Sequence, residues 1–190
     1  MTLLEEVINN GRILVNGKKI EDIIEEFCYE DLFLHFFGKK ITPLNRSRVR
    51  ETLVEFNKDI IVKDVGNYRD FNAFMVSYIL SPEFKEYVET VKENVVPLGI
   101  PTGSAPGLAI TAHMTRLMGA YLGTEPLQGA ETFSDLPFYD IQGRKPTNEE
   151  REVMRAMIVG LCSHGSTPAS THGLQTSAAV KNDLYLGYVG

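Results

Sequence analysis

The stretch Arg151 to Tyr188 constrains this chain of 190 residues more than any other. Thr147 and Glu150 form a T-x-x-E capping box directly after Pro146, which starts a helix there. Val153, Met157 and Leu161 recur every four residues, with Met154, Ile158 and Cys162 as the neighbouring row. This broad apolar stripe leaves little polar face in the last two turns and predicts a helix end deep in a core. Gly165 follows His164 where a helix takes its left-handed terminal residue. Thr167 as cap and Pro168 as first helical residue then restart a helix at once. That second helix is built of small residues, and a third opens after it. His164 is therefore expected in a tight turn between two helix ends, held away from bulk water.

The rest of the chain reads as helix, with one exception. Residues 11–18 (GRILVNGK) are hairpin-like, with Asn16-Gly17 as the turn. Ile20, Ile23, Ile24, Phe27 and Cys28 form a helical stripe that Leu32, Phe33, Phe36 and Phe37 continue after a break near Tyr29, and Gly38 ends it. Thr42-Pro43 opens a helix to about Phe56, with Val49 and Leu53 inward. Two more helices are expected over 70–80 and 82–95. Residues 96–107 (VPLGIPTGSAPG) carry three Pro and three Gly and read as a loop, after which helix returns from Leu108 to about Tyr121. Residues 123–137 read as irregular to weakly helical. The prediction is an all-α fold with at most a small N-terminal β element.

Composition narrows the function classes. A net charge of −6 argues against non-specific nucleic-acid binding, and the densest basic run, RSRVR at 46–50, reads as a solvated helix face. No apolar run approaches the ~20 residues that span a bilayer, and MTLLEEVINN has acid where a signal peptide has base. A cytoplasmic protein without a membrane partner is the expectation. Cys28 and Cys162 lack C-x-x-C spacing and read as buried free thiols. Residues 1–95 carry 13 Lys/Arg and 17 Asp/Glu against 6 and 8 in 96–190, so a deep core or subunit interface is expected in the second half. GIPTGSAPG lacks a P-loop lysine, G-x-S-x-G is absent, and no His/Cys/Asp/Glu set has metal-ligand spacing, so no metal is expected.

Three motif runs give the chain a resemblance. GKKIEDIIEEFCYEDLFLHFFGKKITPLNRSRVRETLVEF resembles the opening of the citrate synthase and citryl-CoA lyase superfamily: a short β piece, an I-E-E-L helix, then s-F-E-e-v-a-Y-L-L. GAETFSDLPFYDIQGRKPTNEEREVMRAMIVGLCSHGSTPAST is similar to its later A-e-N-F … L-I-L-h-A-D-H passage, and SAAVKNDLYLGYVG to v-a-S-T-x-a-D-x-Y. The turn SHGSTPAST is closer to the citryl-CoA lyase version. The runs recur in order over about two thirds of the chain, and 57–107 matches poorly. The resemblance implies a single helical domain over 1–190, as segments 1–56, 57–107 and 108–190, incomplete relative to the family.

It also implies a dimer of packed helices, with Ala169, Ser170, Gly173, Ser177, Ala178 and Ala179 allowing close approach, and C–C bond formation or cleavage between acetyl-CoA and a ketoacid such as oxaloacetate. CoA is then a substrate, and no cofactor is bound. His164 matches the histidine that holds the ketoacid; its plainer alternative is to complement a helix C-terminus. Ser163 stands where the family has Asp. The family's G-P-x-H-G-G and D-P-R motifs and its aspartate base would lie beyond Gly190, so no catalytic residue is assigned: either the chain is a fragment or a second chain supplies that half. The alternative is a non-catalytic dimerisation or regulatory subunit of the same fold. Three further substrate-binding candidates are weaker. His172 faces the same pocket or is an interface or core histidine. His113 and Arg116, an i, i+3 pair, meet an anion or form a partly exposed helix face. His35, among phenylalanines, reads as a packing residue.

Overall fold

The computed structural model describes residues 6–9, 12–55, 70–125 and 127–161, together with positions 176 and 179. Among them a three-stranded antiparallel sheet, β1 (Glu6–Asn9), β2 (Arg12–Val15) and β3 (Lys18–Lys19), precedes eight α-helices. Asn16 and Gly17 both take positive φ (47° and 79°), the twist a two-residue hairpin needs. The Asn16 amide donates to the His35 carbonyl at 2.8 Å, and the His35 ring donates from Nε2 to the Val15 carbonyl at 2.8 Å. His35 also packs edge-on against Phe27, so it is the packing residue expected. β1 was outside the expected hairpin.

Helices α1 (Ile20–Glu26) and α2 (Tyr29–Phe36) are separated by extended residues at Phe27 and Cys28, the break expected near Tyr29. Asp31 accepts from the Cys28 amide and thiol at 3.3 and 3.2 Å, which ends the chance of one continuous helix. Cys28 is half-buried rather than buried, and its desolvation, followed by the Glu30 carboxylate, pushes its thiol pKa up, so it stays protonated. α3 (Pro43–Arg50) starts as read, with the Thr42 hydroxyl accepting from Asn45 N. Arg46 stays exposed, as read for RSRVR, while its guanidinium forks onto the buried Asp31 at 2.7 and 2.9 Å.

α3 runs into one π-helical turn, Glu51–Glu55. Here the Thr52 hydroxyl bonds the Arg48 carbonyl (3.1 Å) and the Tyr87 hydroxyl donates to the Thr52 carbonyl (3.0 Å), so side chains take over the loosened backbone ladder. α4 (Phe71–Ile79) and α5 (Pro82–Val95) carry the side-chain caps Asp70 and Ser81. α5 buries Phe84, Val88, Val91 and Val95 against Leu34, Val49, Leu53 and the next helix. Each such side chain contributes roughly 1.5–3 kcal/mol by leaving water.

Two corrections concern the middle of the chain. The Pro/Gly segment is shorter than expected: α6 spans Ala105–Leu122, with Ala105 and Pro106 already buried in its first turn, where a proline costs no hydrogen bond. α7 (Asp135–Gln142) lies partly where weak helix was read and is closed by Gly143 at φ 68°.

α8 (Asn148–Leu161) begins with the capping box as read: Glu150 N donates to Thr147 Oγ1 at 3.2 Å and Thr147 N to Glu150 Oε2 at 2.8 Å. Arg144 pairs with Glu150 on the exposed side of this end. The direction of α8 corrects the sequence reading. Val153, Met157 and Leu161 are 59%, 52% and 74% exposed, while Val159 is fully buried with Val15, Ile23, Phe27 and Leu32 in a second, smaller core. The helix is rotated by polar anchors that periodicity does not register. Arg151 binds Asp135 at 2.7 Å, and Arg155 binds the carbonyls of Ile24 and Phe27 at 2.7 and 2.8 Å. In the neighbouring row Met154 and Ile158 are half-buried, Ile158 packing against the main core as expected, and Cys162 lies outside the described residues. No helix among the described residues is long and apolar enough to cross a membrane.

A Cβ at Gly119 would sit 2.2 Å from Asp140 Oδ1. Gly119→Ala is expected to destabilise the protein by about 1–3 kcal/mol through overpacking at the α6–α7 contact, measured as a lower urea midpoint with unchanged slope.

Candidate functional site

Two of the four candidate ligands, His164 and His172, lie outside the described residues, as does the small-residue stretch apart from positions 176 and 179. The other two, His113 and Arg116, lie on α6, and neither occupies the partly exposed face read for them: they are 2% and 7% exposed. The reason is the helix they occupy. α6 carries one formal charge in eighteen residues and packs between α5, α7 and α4, so it has no solvent side at these positions.

His113 is enclosed by aromatic side chains from α4 and α5. Tyr87 stacks on its ring at 3.7 Å between centroids, Phe84 and Tyr78 flank it at 5.8 and 5.6 Å, and the Tyr78 hydroxyl shares a hydrogen with Nδ1 at 2.7 Å. Burial drives the imidazole pKa down to about 3, so it is neutral at physiological pH. Burial likewise pushes the Tyr78 and Tyr87 hydroxyls up, keeping them as neutral partners. Nε2 is buried and without a hydrogen-bond partner among the described residues. A neutral ring of this kind organises packing; it does not neutralise an anion.

Arg116 is engaged elsewhere. Its Nη1 donates to Asp140 Oδ1 at 3.2 Å and its Nη2 to the Thr124 carbonyl at 2.7 Å, while the Thr124 hydroxyl donates to the Asp140 carbonyl at 2.9 Å. Burial raises the Asp140 carboxyl to about 6, with Arg116 acting against that rise. This closed loop of bonds joins the end of α6 to α7, so the guanidinium of Arg116 has a protein carboxylate where a ligand's carboxylate was expected.

A third polar cluster joins α2 and α7 to α8. Glu30, 1% exposed, accepts from the Phe133 amide at 3.2 Å; Asp135 accepts from the amides of Glu131 and Thr132 and from Arg151. None of Tyr78, Asp140, Glu30 or Asp135 was singled out from sequence. The one legible signal was the scarcity of charge on α6, since a lone buried arginine requires an acidic partner. Among the described residues no three His, Cys, Asp or Glu side chains group as metal ligands would.

His113 and Asp140 titrate with opposite signs. The histidine's folded pKa lies below its unfolded value of 6.5, so the stability it allows is complete above that pH and is lost as pH falls toward about 3. The aspartate's lies above 3.8, so it adds stability as pH falls from about 6. Thermal melts from pH 7 to pH 4 should show a shallower acid loss in His113→Phe and a steeper one in Asp140→Asn.

No protein-family profile matches the sequence, and no curated protein sequence is a significant match. Solved structures do match. The citrate synthase of Pyrobaculum aerophilum superposes with a TM-score of 0.70 at 15% identity, over 100% of this chain and 50% of its own. Citrate synthase from Thermoplasma acidophilum, in a ternary complex with carboxymethyl coenzyme A and oxaloacetate, gives 0.64 at 19% identity and 51% of its chain. Thermotoga maritima citrate synthase gives 0.66 at 16% and 51%. This chain therefore has the citrate synthase fold and spans about half the length of the proteins that share it.

Proposed function

We propose that the chain supplies one half of a citrate-synthase-type site, in which an acyl-CoA such as acetyl-CoA and a ketoacid such as oxaloacetate are joined, or their product cleaved. The observation that carries this reading is likeness over the whole chain to proteins of about double the length, one solved with carboxymethyl coenzyme A and oxaloacetate. In it His164, three residues past the end of α8, donates a hydrogen bond to the ketoacid carboxylate, a contact that gains strength where water is excluded. His172 lies further along and is a secondary candidate for the same pocket. CoA enters as substrate and no bound cofactor is required.

Enolising a thioester at neutral pH needs a positioned base and a donor at the developing oxyanion together. One histidine cannot be both. The remaining groups come from outside these 190 residues, in an assembly such as a homodimer or a hetero-oligomer. A second reading, a non-catalytic dimerisation or regulatory subunit, draws support from the exposed row Val153, Met157 and Leu161, apolar surface of the kind that partners cover.

Calorimetry with oxaloacetate and citrate tests the first reading. Wild type should bind, and His164→Ala should weaken binding at least about tenfold, roughly 1.4 kcal/mol; His172→Ala should have less effect. The isolated chain should release no thiol from acetyl-CoA and oxaloacetate. Absence of binding by wild type removes the ligand from both readings, and thiol release by this chain alone removes the need for a second one.

A further inference from the structure

Where α2, α7 and α8 meet, the carboxylates outnumber the cations that answer them. Asp31 pairs with Arg46 at 2.7 Å and Asp135 with Arg151 at 2.7 Å, and the exposed Glu131 lies 3.4 Å from the same Arg151. Arg50 donates to the Glu131 carbonyl at 2.9 Å. Glu30 is the carboxylate left over among the described residues, and at 1% exposure it is the most deeply buried of these. Its Oε1 accepts from the Phe133 amide at 3.2 Å, while Oε2 is buried without a hydrogen-bond partner. It stands in the first turn of α2, where a helix end offers only roughly half a unit of positive charge. A buried carboxylate needs a cation or bonds to both its oxygens. One amide supplies neither.

Two hydroxyls stand beside it. Thr132 and Ser134 flank Phe133 in the chain, and Thr132 Oγ1 and Ser134 Oγ are likewise buried without a hydrogen-bond partner. Such orphaned atoms are rare in folded interiors, and three at one turn call for a shared guest. That none of the three bonds another agrees with ligands around an ion, whose oxygens stand further apart than hydrogen-bond partners. The donor set identifies the ion's class. All three donors are hard oxygens, which suit neither zinc nor copper. Calcium and magnesium draw on more carboxylate than one, and no three His, Cys, Asp or Glu side chains gather among the described residues. A single negative charge is matched by a single positive one. We propose that Glu30, Thr132 and Ser134 hold an alkali cation, sodium or potassium, that joins the start of α2 to the turn before α7. The site is independent of the function proposed above, and its ion stabilises the folded chain by binding it alone.

Thermal unfolding of the full chain in potassium, sodium and tetramethylammonium chloride at matched concentration tests this. Tetramethylammonium gives the same screening with a cation too large for such a shell. Potassium or sodium should raise the melting temperature by roughly 2–4 °C over tetramethylammonium, and further as its concentration rises. Glu30→Gln keeps the side-chain shape and the acceptor for the Phe133 amide, and it should melt alike in all three salts. Thallium NMR supplies a second readout: wild type should show a bound thallium(I) resonance that potassium or sodium displaces, and Glu30→Gln should show none. Should Glu30→Gln fail to fold, Ser134→Ala, which removes a ligand and no charge, takes its place and should shrink the cation-dependent rise. Equal melting temperatures for wild type in the three salts overturn the inference. So does a cation response that persists undiminished in folded Glu30→Gln or Ser134→Ala.

Discussion

A helix of eighteen residues with a single formal charge must bury most of its surface, and the burial of α6, exposed only at positions such as Met114 and its last turn, is the constraint on which the rest of the fold is arranged. Ala105, Leu108, Ala109, Ala112 and Leu117 are within 2% of complete burial, and the small residues among them let α5 and α7 approach closely. Burying such a helix also buries its polar side chains. His113 meets that cost by being neutral inside an aromatic enclosure; Arg116 meets it with Asp140 and the Thr124 carbonyl. The Gly119 contact follows from the same demand, because a guanidinium and a carboxylate both occupy the space a side chain would need.

Around this centre the other charged residues work at helix ends. Asp31 takes Arg46, Asp135 takes Arg151, and Arg155 takes the carbonyls that close α1. In each case one partner lies at or beside a helix terminus, where unpaired backbone groups already bias the local field. Exposed ion pairs such as Arg144–Glu150 contribute little by comparison. Arg151 and Arg155, each 20% exposed at the side chain, act as register pins, since their planar head groups admit few arrangements.

A fold equivalent to about half of a citrate synthase has a consequence for its surface. Val153, Met157 and Leu161 present an apolar row on one side of α8, while the opposite side is pinned to α1. The helix is thus held from within and uncovered from without.

Much was determined locally and could be read from the residues. Helix starts at Thr42, Ser81 and Thr147, the Asn16-Gly17 turn, the break before Tyr29 and the all-α class depend on interactions within four residues, so nearest-neighbour chemistry suffices. The motif runs that pointed to the citrate synthase fold are likewise linear. Tertiary structure alone decided which way α8 faces. Periodicity marked one broad stripe, but Val159 and Ile158 turn inward while Val153, Met157 and Leu161 turn outward, an orientation held by Arg151 on Asp135 and by Arg155 on carbonyls 128 and 131 residues away. It also decided that His113 and Arg116 are interior, because whether a polar pair on a helix meets water depends on what packs over it. A sequence states what a side chain can bond to; only the assembled chain brings the partner within 3 Å.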